Sequence, residues 1–151
     1  MVLDALRKRD AGQLRVRLVG GPPAMGRWIA DKYPAVDYLG PLGDRELGTE
    51  AATWNAFIHP LFCQARGCST KLAIAIGWQI PIVTTTVGHR GYAWREGHFA
   101  IADAPSSFVD ECLRLLSRDV ADAARRRVVD VAKSSPTVPD VALKLRSLLE
   151  L

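Results

Sequence analysis

Residues 69–86 read STKLAIAIGWQIPIVTTT, an apolar helical segment followed at once by a β-branched segment. Ser69 suits the N-cap of that helix, because its side-chain oxygen can accept a hydrogen bond from a free N–H of the first turn. The apolar run predicts a helix over residues 70–78, and the β-branched run predicts a strand over residues 81–86. A helix that leads straight into an apolar strand is typical of a β-α-β unit, so this stretch favours an α/β fold.

The same alternation extends in both directions along the chain. Further strands are predicted at residues 14–19, 36–39, 53–59 and 99–102, and further helices at residues 1–9, 25–33, 45–52, 107–116, 120–133 and 138–149. Short connections between them imply a parallel sheet that helices cover on both faces. We therefore expect one three-layer Rossmann-like α/β domain over residues 1–151, which ends in a C-terminal helix at residues 138–151. Strands 14–19, 53–58 and 81–85 should lie side by side in its core.

The bulk composition is that of an ordinary globular protein. Of the 151 residues, 48% are hydrophobic and 24% are charged, which suits a single domain and argues against disorder. No apolar run reaches the ~20 residues of a membrane-spanning helix, and the N-terminus lacks the apolar stretch of a signal peptide. These features predict a cytoplasmic protein.

A net charge of +4 suits an anionic ligand such as a nucleotide diphosphate, or a membrane surface. It is equally compatible with a basic protein that binds neither. The densest basic run, residues 125–127, falls within a helical pattern and predicts a solvated face. No RNA-binding aromatic motif lies beside it, so we expect no nucleic-acid partner.

Three loops follow predicted strands at the edge where open parallel sheets bind ligands, at residues 20–25, 60–69 and 84–91. The first nearly fits the phosphate-loop pattern GxxxxGK[ST], yet Arg27 replaces its lysine and Trp28 replaces its hydroxyl. Two prolines also remove backbone donors, which favours a tight turn over a nucleotide-hydrolysing loop.

The second loop ends in residues 66–71, RGCSTK. The helix predicted to begin at Ser69 would point free N–H groups at an anion, and Arg66 and Lys71 add positive charge within one turn. This segment could cradle a diphosphate, but a capped helix with solvated basic side chains explains the spacing better when taken alone. In the third loop, glycines flank His89 and Arg90, which suits a polar site and a flexible loop equally.

Metal and nucleophile motifs are not apparent in the sequence. Cys63, Cys68 and Cys112 do not supply the four ligands of a zinc site, and neither GxSxG nor GxGxxG occurs. We expect no metal and no cofactor, and the residues alone identify no catalytic group.

Residues 71–88, KLAIAIGWQIPIVTTTVG, resemble the pattern KxLEAMAxGxPVVATxVG. That pattern is typical of the C-terminal domain of the GT-B-fold retaining glycosyltransferases, the "group 1" family. Similar segments in the same order are residues 14–21 (LRVRLVGG), 36–40 (VDYLG), 57–60 (FIHP), 97–103 and 107–116. The resemblance therefore covers nearly the whole chain.

The resemblance implies the donor-binding half of a GT-B architecture, with a nucleotide sugar as substrate and no cofactor, acting in polysaccharide or glycolipid biosynthesis. It implies that the glycine turn after the first strand approaches the donor, that the helix at Ser69 faces the phosphates, and that His89 and Arg90 lie at the sugar end. The expected donor-binding residues are Gly20, Gly21, Arg66, Gly67, Ser69, Thr70, Lys71, Ile74, His89 and Arg90.

Two glutamates that the family commonly carries align with Arg66 and Ile74, and Gln79 stands where the family has glycine. An isoleucine cannot accept hydrogen bonds from ribose hydroxyls. These departures leave open a degenerate, non-catalytic module that binds protein. Another nucleotide-sugar enzyme, such as an epimerase, is a further alternative.

In the family, the transferred sugar lies in a cleft between two domains, of which this chain resembles one. We therefore expect an N-terminal acceptor-binding domain, supplied in cis or in trans, and no turnover by this chain alone. The matched segment begins within the helix that follows the family's first donor-domain strand, so a fragment or half-enzyme is expected. The full enzyme is expected to associate peripherally with a membrane.

Overall fold

The computed structural model describes residues 2–9, 12–64, 66–92 and 99–149. Along these residues the strands are β1 (Val16–Val19), β2 (Val36–Gly40), β3 (Phe57–His59), β4 (Ile82–Thr84) and β5 (Ala100–Ile101). The helices are α1 (Val2–Arg9), α2 (Pro23–Lys32), α3 (Asp44–Ala51), α4 (Thr70–Gly77), α5 (Thr86–His89), α6 (Pro105–Arg114), α7 (Arg118–Ser134) and α8 (Val138–Leu149). Each strand lies within, or within one residue of, a segment where the sequence predicts one.

All the strand pairings in the described part of the chain are parallel. β1 pairs with β2, with Val16 opposite Val36, and β4 pairs with β3 on one side and β5 on the other. Because parallel neighbours require crossover connections, helices lie between consecutive strands, and the predicted Rossmann-like α/β class is confirmed.

The expected adjacency of the first strand is wrong. β1 and β2 form one two-stranded sheet, and β3, β4 and β5 form a separate three-stranded sheet. No ladder joins β1 to β3 within the described residues. Apolar composition shows that a strand is buried, but it does not show which strand lies beside it, and so the order could not be deduced from it.

Helices cover both faces of the three-stranded sheet. Ile82 of β4 lies in one apolar cluster with Leu72 and Ile76 of α4 and Val128 of α7. Its neighbour Val83 belongs to a second cluster, with Phe108 and Leu115 from α6 and the turn after it. Successive side chains of a strand point to opposite faces, so β4 forms the middle layer of three.

The strand predicted over residues 81–86 ends earlier than expected. β4 stops at Thr84, and α5 begins at Thr86, inside the loop predicted at residues 84–91. Thr85 is the N-cap, and its hydroxyl accepts a hydrogen bond from the Gly88 N–H at 2.9 Å. A β-branched residue fits a strand, but a threonine hydroxyl also caps helices, and here capping prevails.

Helix α8 has the bounds that the sequence predicts but contains no buried residue. Its apolar side chains are therefore exposed: Val138, Val141, Leu143, Leu145, Leu148 and Leu149. None of the helices in the described ranges has the length and hydropathy needed to cross a bilayer.

Gln79 adopts a left-handed backbone conformation at the end of α4, with φ of 56°. It follows the C-cap Trp78, at the position where helices usually carry glycine. A side chain with a Cβ is strained there by about 1–2 kcal/mol. The glycine that the resembling pattern has at this position would adopt the same backbone conformation without this strain.

We predict that Gln79→Gly stabilises the domain. The left-handed strain is relieved, and glycine's greater entropy loss of about 0.5–1 kcal/mol offsets part of the gain, leaving about 0.5–1 kcal/mol. Denaturant unfolding measures the difference. Exposed Gln64, which does not have a positive φ, provides the matched control: Gln64→Gly should not stabilise, and equal effects at both positions would contradict the assignment of strain.

Candidate functional site

The loops after β3 and β4 lie next to each other because these two strands are paired. Parallel pairing places their carboxyl ends at one edge, with His59 directly opposite Thr84. Ser69 is the N-cap of α4 as predicted, and its hydroxyl accepts a hydrogen bond from the Leu72 N–H at 3.3 Å. The second and third predicted loops therefore form one surface.

Arg90 joins the two loops. Its guanidinium donates to the carbonyl oxygens of Arg66, at 2.9 Å, and Val87, at 2.6 Å. Its Nε is buried and has no hydrogen-bond partner in the described part of the chain. Since both partners are neutral carbonyls, the positive charge of Arg90 is held in place but is not neutralised.

Two further contacts hold the same loops together. The Cys68 thiol donates to the Gly91 carbonyl at 3.2 Å, and the Tyr92 hydroxyl donates to the Ser69 carbonyl at 2.7 Å. Gly91 has φ of +81°, and a Cβ there would overlap the Cys68 sulfur. The loop after β4 thus packs directly against the segment that leads into α4.

Positive charge is concentrated on this surface. Arg66, Gly67, Thr70 and Lys71 are exposed, and Gly67 has φ of +67°. Within the residues that the structure describes, no carboxylate forms an ion pair with Arg66, Lys71 or Arg90. The N–H groups of Thr70 and Lys71 precede the first intrahelical hydrogen bond, so they can face an anion.

Ile74 lies on the solvent-facing side of α4, one turn beyond Lys71. It is 50% exposed, whereas Leu72, Ala75 and Ile76 on the same helix are buried. This exposure shows that Ile74 is not a core residue. A residue at 74 can reach a ligand that lies along the exposed face of α4.

The contacts that the structure gives for Gly20, Gly21 and His89 are with other parts of the fold. Gly20 and Gly21 both have φ of +75° and follow β1 in the other sheet, where the Gly20 N–H donates to the Gly40 carbonyl at 2.8 Å. The His89 ring contacts the ring of Phe99, with centroids 5.8 Å apart. Arg90 links the third loop to the second through its hydrogen bond to the Arg66 carbonyl.

His59 is a polar residue at the site that the sequence analysis missed. Its Nε2 lies 3.2 Å from the Ser69 hydroxyl oxygen, and its Nδ1 lies 3.2 Å from the Thr84 hydroxyl oxygen. Partial burial lowers the pKa of the imidazole, and the charges of Lys71 and Arg90 lower it further. The available sequence signal was a histidine at the end of an apolar strand, directly before a candidate loop.

Two other groups in the described structure have shifted pKa values. Asp103 accepts hydrogen bonds from the Thr86 N–H and hydroxyl, both at 2.7 Å, and these bonds lower the pKa of its carboxyl. The three cysteines are free thiols, and burial raises the pKa of Cys112 to about 12. Asp103 therefore anchors the start of α5, and Cys112 stays protonated.

Fold and site together define a parallel α/β domain with a cationic, hydroxyl-rich surface at the carboxyl ends of its strands. The family described as glycosyl transferases group 1 matches residues 1–118 of the 151. The chain belongs to this family, as its resemblance indicated, and glycosyl transfer is its general function. The family implies a nucleotide-sugar donor and an acceptor. The comparison with curated proteins gives no match to this chain.

We predict that Gly88→Ala destabilises the domain by about 1–3 kcal/mol, as overpacking of a filled interior does. A Cβ at this buried position would overlap the Thr84 hydroxyl and the His59 ring. Gly48 lies within α3 with open space around it, so Gly48→Ala should instead stabilise by about 0.5–1 kcal/mol. Denaturant unfolding of both variants tests the packing, and a neutral Gly88→Ala would show that the His59–Thr84 contact is loose.

Proposed function

We propose that the chain is the donor-binding domain of a glycosyltransferase that uses a nucleotide sugar in polysaccharide or glycolipid assembly. The observation that carries the proposal is the group of three cations, Arg66, Lys71 and Arg90, which the described carboxylates leave unpaired at the first turn of α4. A cationic cluster at a helix N-terminus suits a diphosphate, because the charges and the helix dipole act on it together.

Each part of the surface has a role toward the diphosphate. Lys71 and Arg66 are exposed and can move to meet the phosphate oxygens, while Arg90 supplies a fixed charge from the loop after β4. In glycosyl transfer, negative charge develops on the leaving diphosphate as the bond to the sugar breaks. Fixed positive groups stabilise that charge without reorganisation, so these residues promote departure as well as binding.

The proposed site binds the ribose of the donor more weakly than its diphosphate. A carboxylate at position 74 would accept charge-assisted hydrogen bonds from ribose hydroxyls, and Ile74 offers none. The loss of such a bond costs roughly 1.5–3 kcal/mol, or about one to two orders of magnitude in affinity. The proposed site therefore recognises the diphosphate better than the nucleoside.

We also propose that the active enzyme needs a second half that binds the acceptor, in cis or in trans. The strand order β2-β1 and β3-β4-β5 becomes the doubly wound order 3-2-1-4-5-6 if one further parallel strand lies between β1 and β3. The exposed apolar face of α8 supports contact with further protein. A cytoplasmic enzyme held peripherally at a membrane fits the net positive charge.

A second candidate function is a non-catalytic interaction module derived from the same fold. Ile74 favours it, because an exposed isoleucine at the proposed ribose position suits protein contact better than a sugar. The two functions differ in whether the cationic surface binds nucleotide, which a titration measures directly.

We predict that uridine or guanosine diphosphate binds with a millimolar dissociation constant, because the diphosphate contacts remain without the ribose carboxylate. Amide chemical shifts in a titration should move at residues 66–71. Lys71→Ala should weaken binding several-fold, whereas Lys144→Ala on exposed α8 should not. Micromolar affinity would mean that another group binds the ribose, and no shift change up to high millimolar nucleotide would favour the interaction module.

We predict that Ile74→Glu folds, with a cost of at most about 1 kcal/mol, and binds the diphosphates more tightly than the natural sequence does. The position is half-exposed, so the carboxylate stays hydrated until a ribose reaches it. Ile76, two residues further along α4, is buried, and Ile76→Glu should cost several kcal/mol. Thermal melts with and without nucleotide distinguish the two. A stable Ile74→Glu without gain in affinity would place the ribose elsewhere.

A further inference from the structure

His59 connects the elements that form the candidate site, and the proposed donor contacts do not use it. It is the last residue of β3, it pairs with the last residue of β4, and its ring reaches the N-cap of α4. It stacks on Phe57 with centroids 6.1 Å apart, which limits its rotation. Because Gly88 has no side chain, the His59 ring and the Thr84 hydroxyl can occupy the space beside it.

The hydrogen bonds around His59 favour one neutral tautomer. The Thr84 hydroxyl donates to the carbonyl of His59 at 3.5 Å, so its oxygen accepts from the imidazole Nδ1 at 3.2 Å. With the ring hydrogen on Nδ1, Nε2 accepts from the Ser69 hydroxyl at 3.2 Å. The Ser69 oxygen accepts from the Leu72 N–H. In this arrangement the Ser69 hydrogen points toward His59 and away from any ligand.

The charges that act on the imidazole in the described structure are the cations Lys71, on α4, and Arg90, after α5. Partial burial and these two charges lower the pKa of His59 and so favour its neutral form. The same two cations belong to the proposed diphosphate site. A bound diphosphate would offset their charge and favour the protonated imidazole.

We propose that His59 is a positioning residue that takes up a proton from solvent when a diphosphate binds and thereby turns the Ser69 hydroxyl toward the ligand. A protonated imidazole carries hydrogen on both nitrogens, so Nε2 donates to the Ser69 oxygen instead of accepting from it. The Ser69 oxygen then accepts from both Leu72 and His59, and its own hydrogen is released to a phosphate oxygen. The inference rests on the proposed diphosphate site.

This arrangement has a defined pH dependence. The ligand-bound state holds one more proton than the free protein at pH values between the two imidazole pKa values. Affinity for a diphosphate therefore rises as the pH falls through that interval, by up to tenfold for each unit by which the ligand raises the pKa of His59.

The test uses UDP-glucose and GDP-mannose, whose phosphates are diesters and do not titrate between pH 5 and 8. NMR titrations of the full chain give the dissociation constant across this range, and the imidazole resonances give the pKa of His59 with and without ligand. We expect the pKa of His59 to rise on binding and the affinity to increase at low pH. In His59→Gln, whose amide stays neutral, the affinity should change less with pH, and the difference between the two proteins isolates His59 from other titrating groups.

Ser69→Ala tests the route through the hydroxyl. The imidazole remains, so its pKa should still rise on binding, while the gain in affinity at low pH should shrink. An unchanged gain in Ser69→Ala would overturn the role of Ser69. Identical pH profiles in the natural sequence and His59→Gln, or a pKa of His59 that ligand does not move, would overturn the inference while leaving the proposed function intact. If neither nucleotide sugar binds at any pH, the proposed diphosphate site fails, and the inference fails with it.

Discussion

The parallel pairing of β3 with β4 determines the rest of the site. It sets His59 opposite Thr84 at the ends of two strands and brings the loops that follow them together. The connection between these strands is α4, whose buried Leu72, Ala75 and Ile76 hold it against the sheet. Because that burial fixes the helix, its first turn and the exposed Lys71 have a defined position relative to Arg90. The cationic surface is therefore a consequence of ordinary apolar packing.

Three consecutive threonines stabilise the edge at which this surface lies. The Thr84 hydroxyl contacts His59, the Thr85 hydroxyl donates to the Leu61 carbonyl, and Thr86 donates to Asp103. Thr84 and Thr85 are buried, so their hydroxyls need these partners to avoid an unpaired polar group. Valine would fill the same space at each position but would leave the loops unattached. The threonine hydroxyls therefore hold the loops of the candidate site in place, in addition to the part these residues play in and after the strand.

The sequence was sufficient for the fold class and for the start of α4. The apolar alternation identified the strands, and the Ser69 cap predicted the start of α4, because both signals are local. It did not reveal that β1 and β3 belong to separate sheets, since strand order depends on contacts between distant segments. It also missed α5, because threonine suits both a strand and a cap. His59 was missed because its partners Ser69 and Thr84 lie 10 and 25 residues away along the chain.

The two ends of the proposed donor site respond differently to substitution. Attraction between a diphosphate and several cations acts over some distance and tolerates small shifts in geometry. Recognition of a ribose needs an acceptor within hydrogen-bond distance, and the isoleucine at position 74 of the proposed site offers none. A surface that retains the first interaction and lacks the second attracts diphosphates while discriminating weakly among nucleosides. In the proposed enzyme, selectivity for one donor would then come from the base, from the sugar, or from the proposed second half.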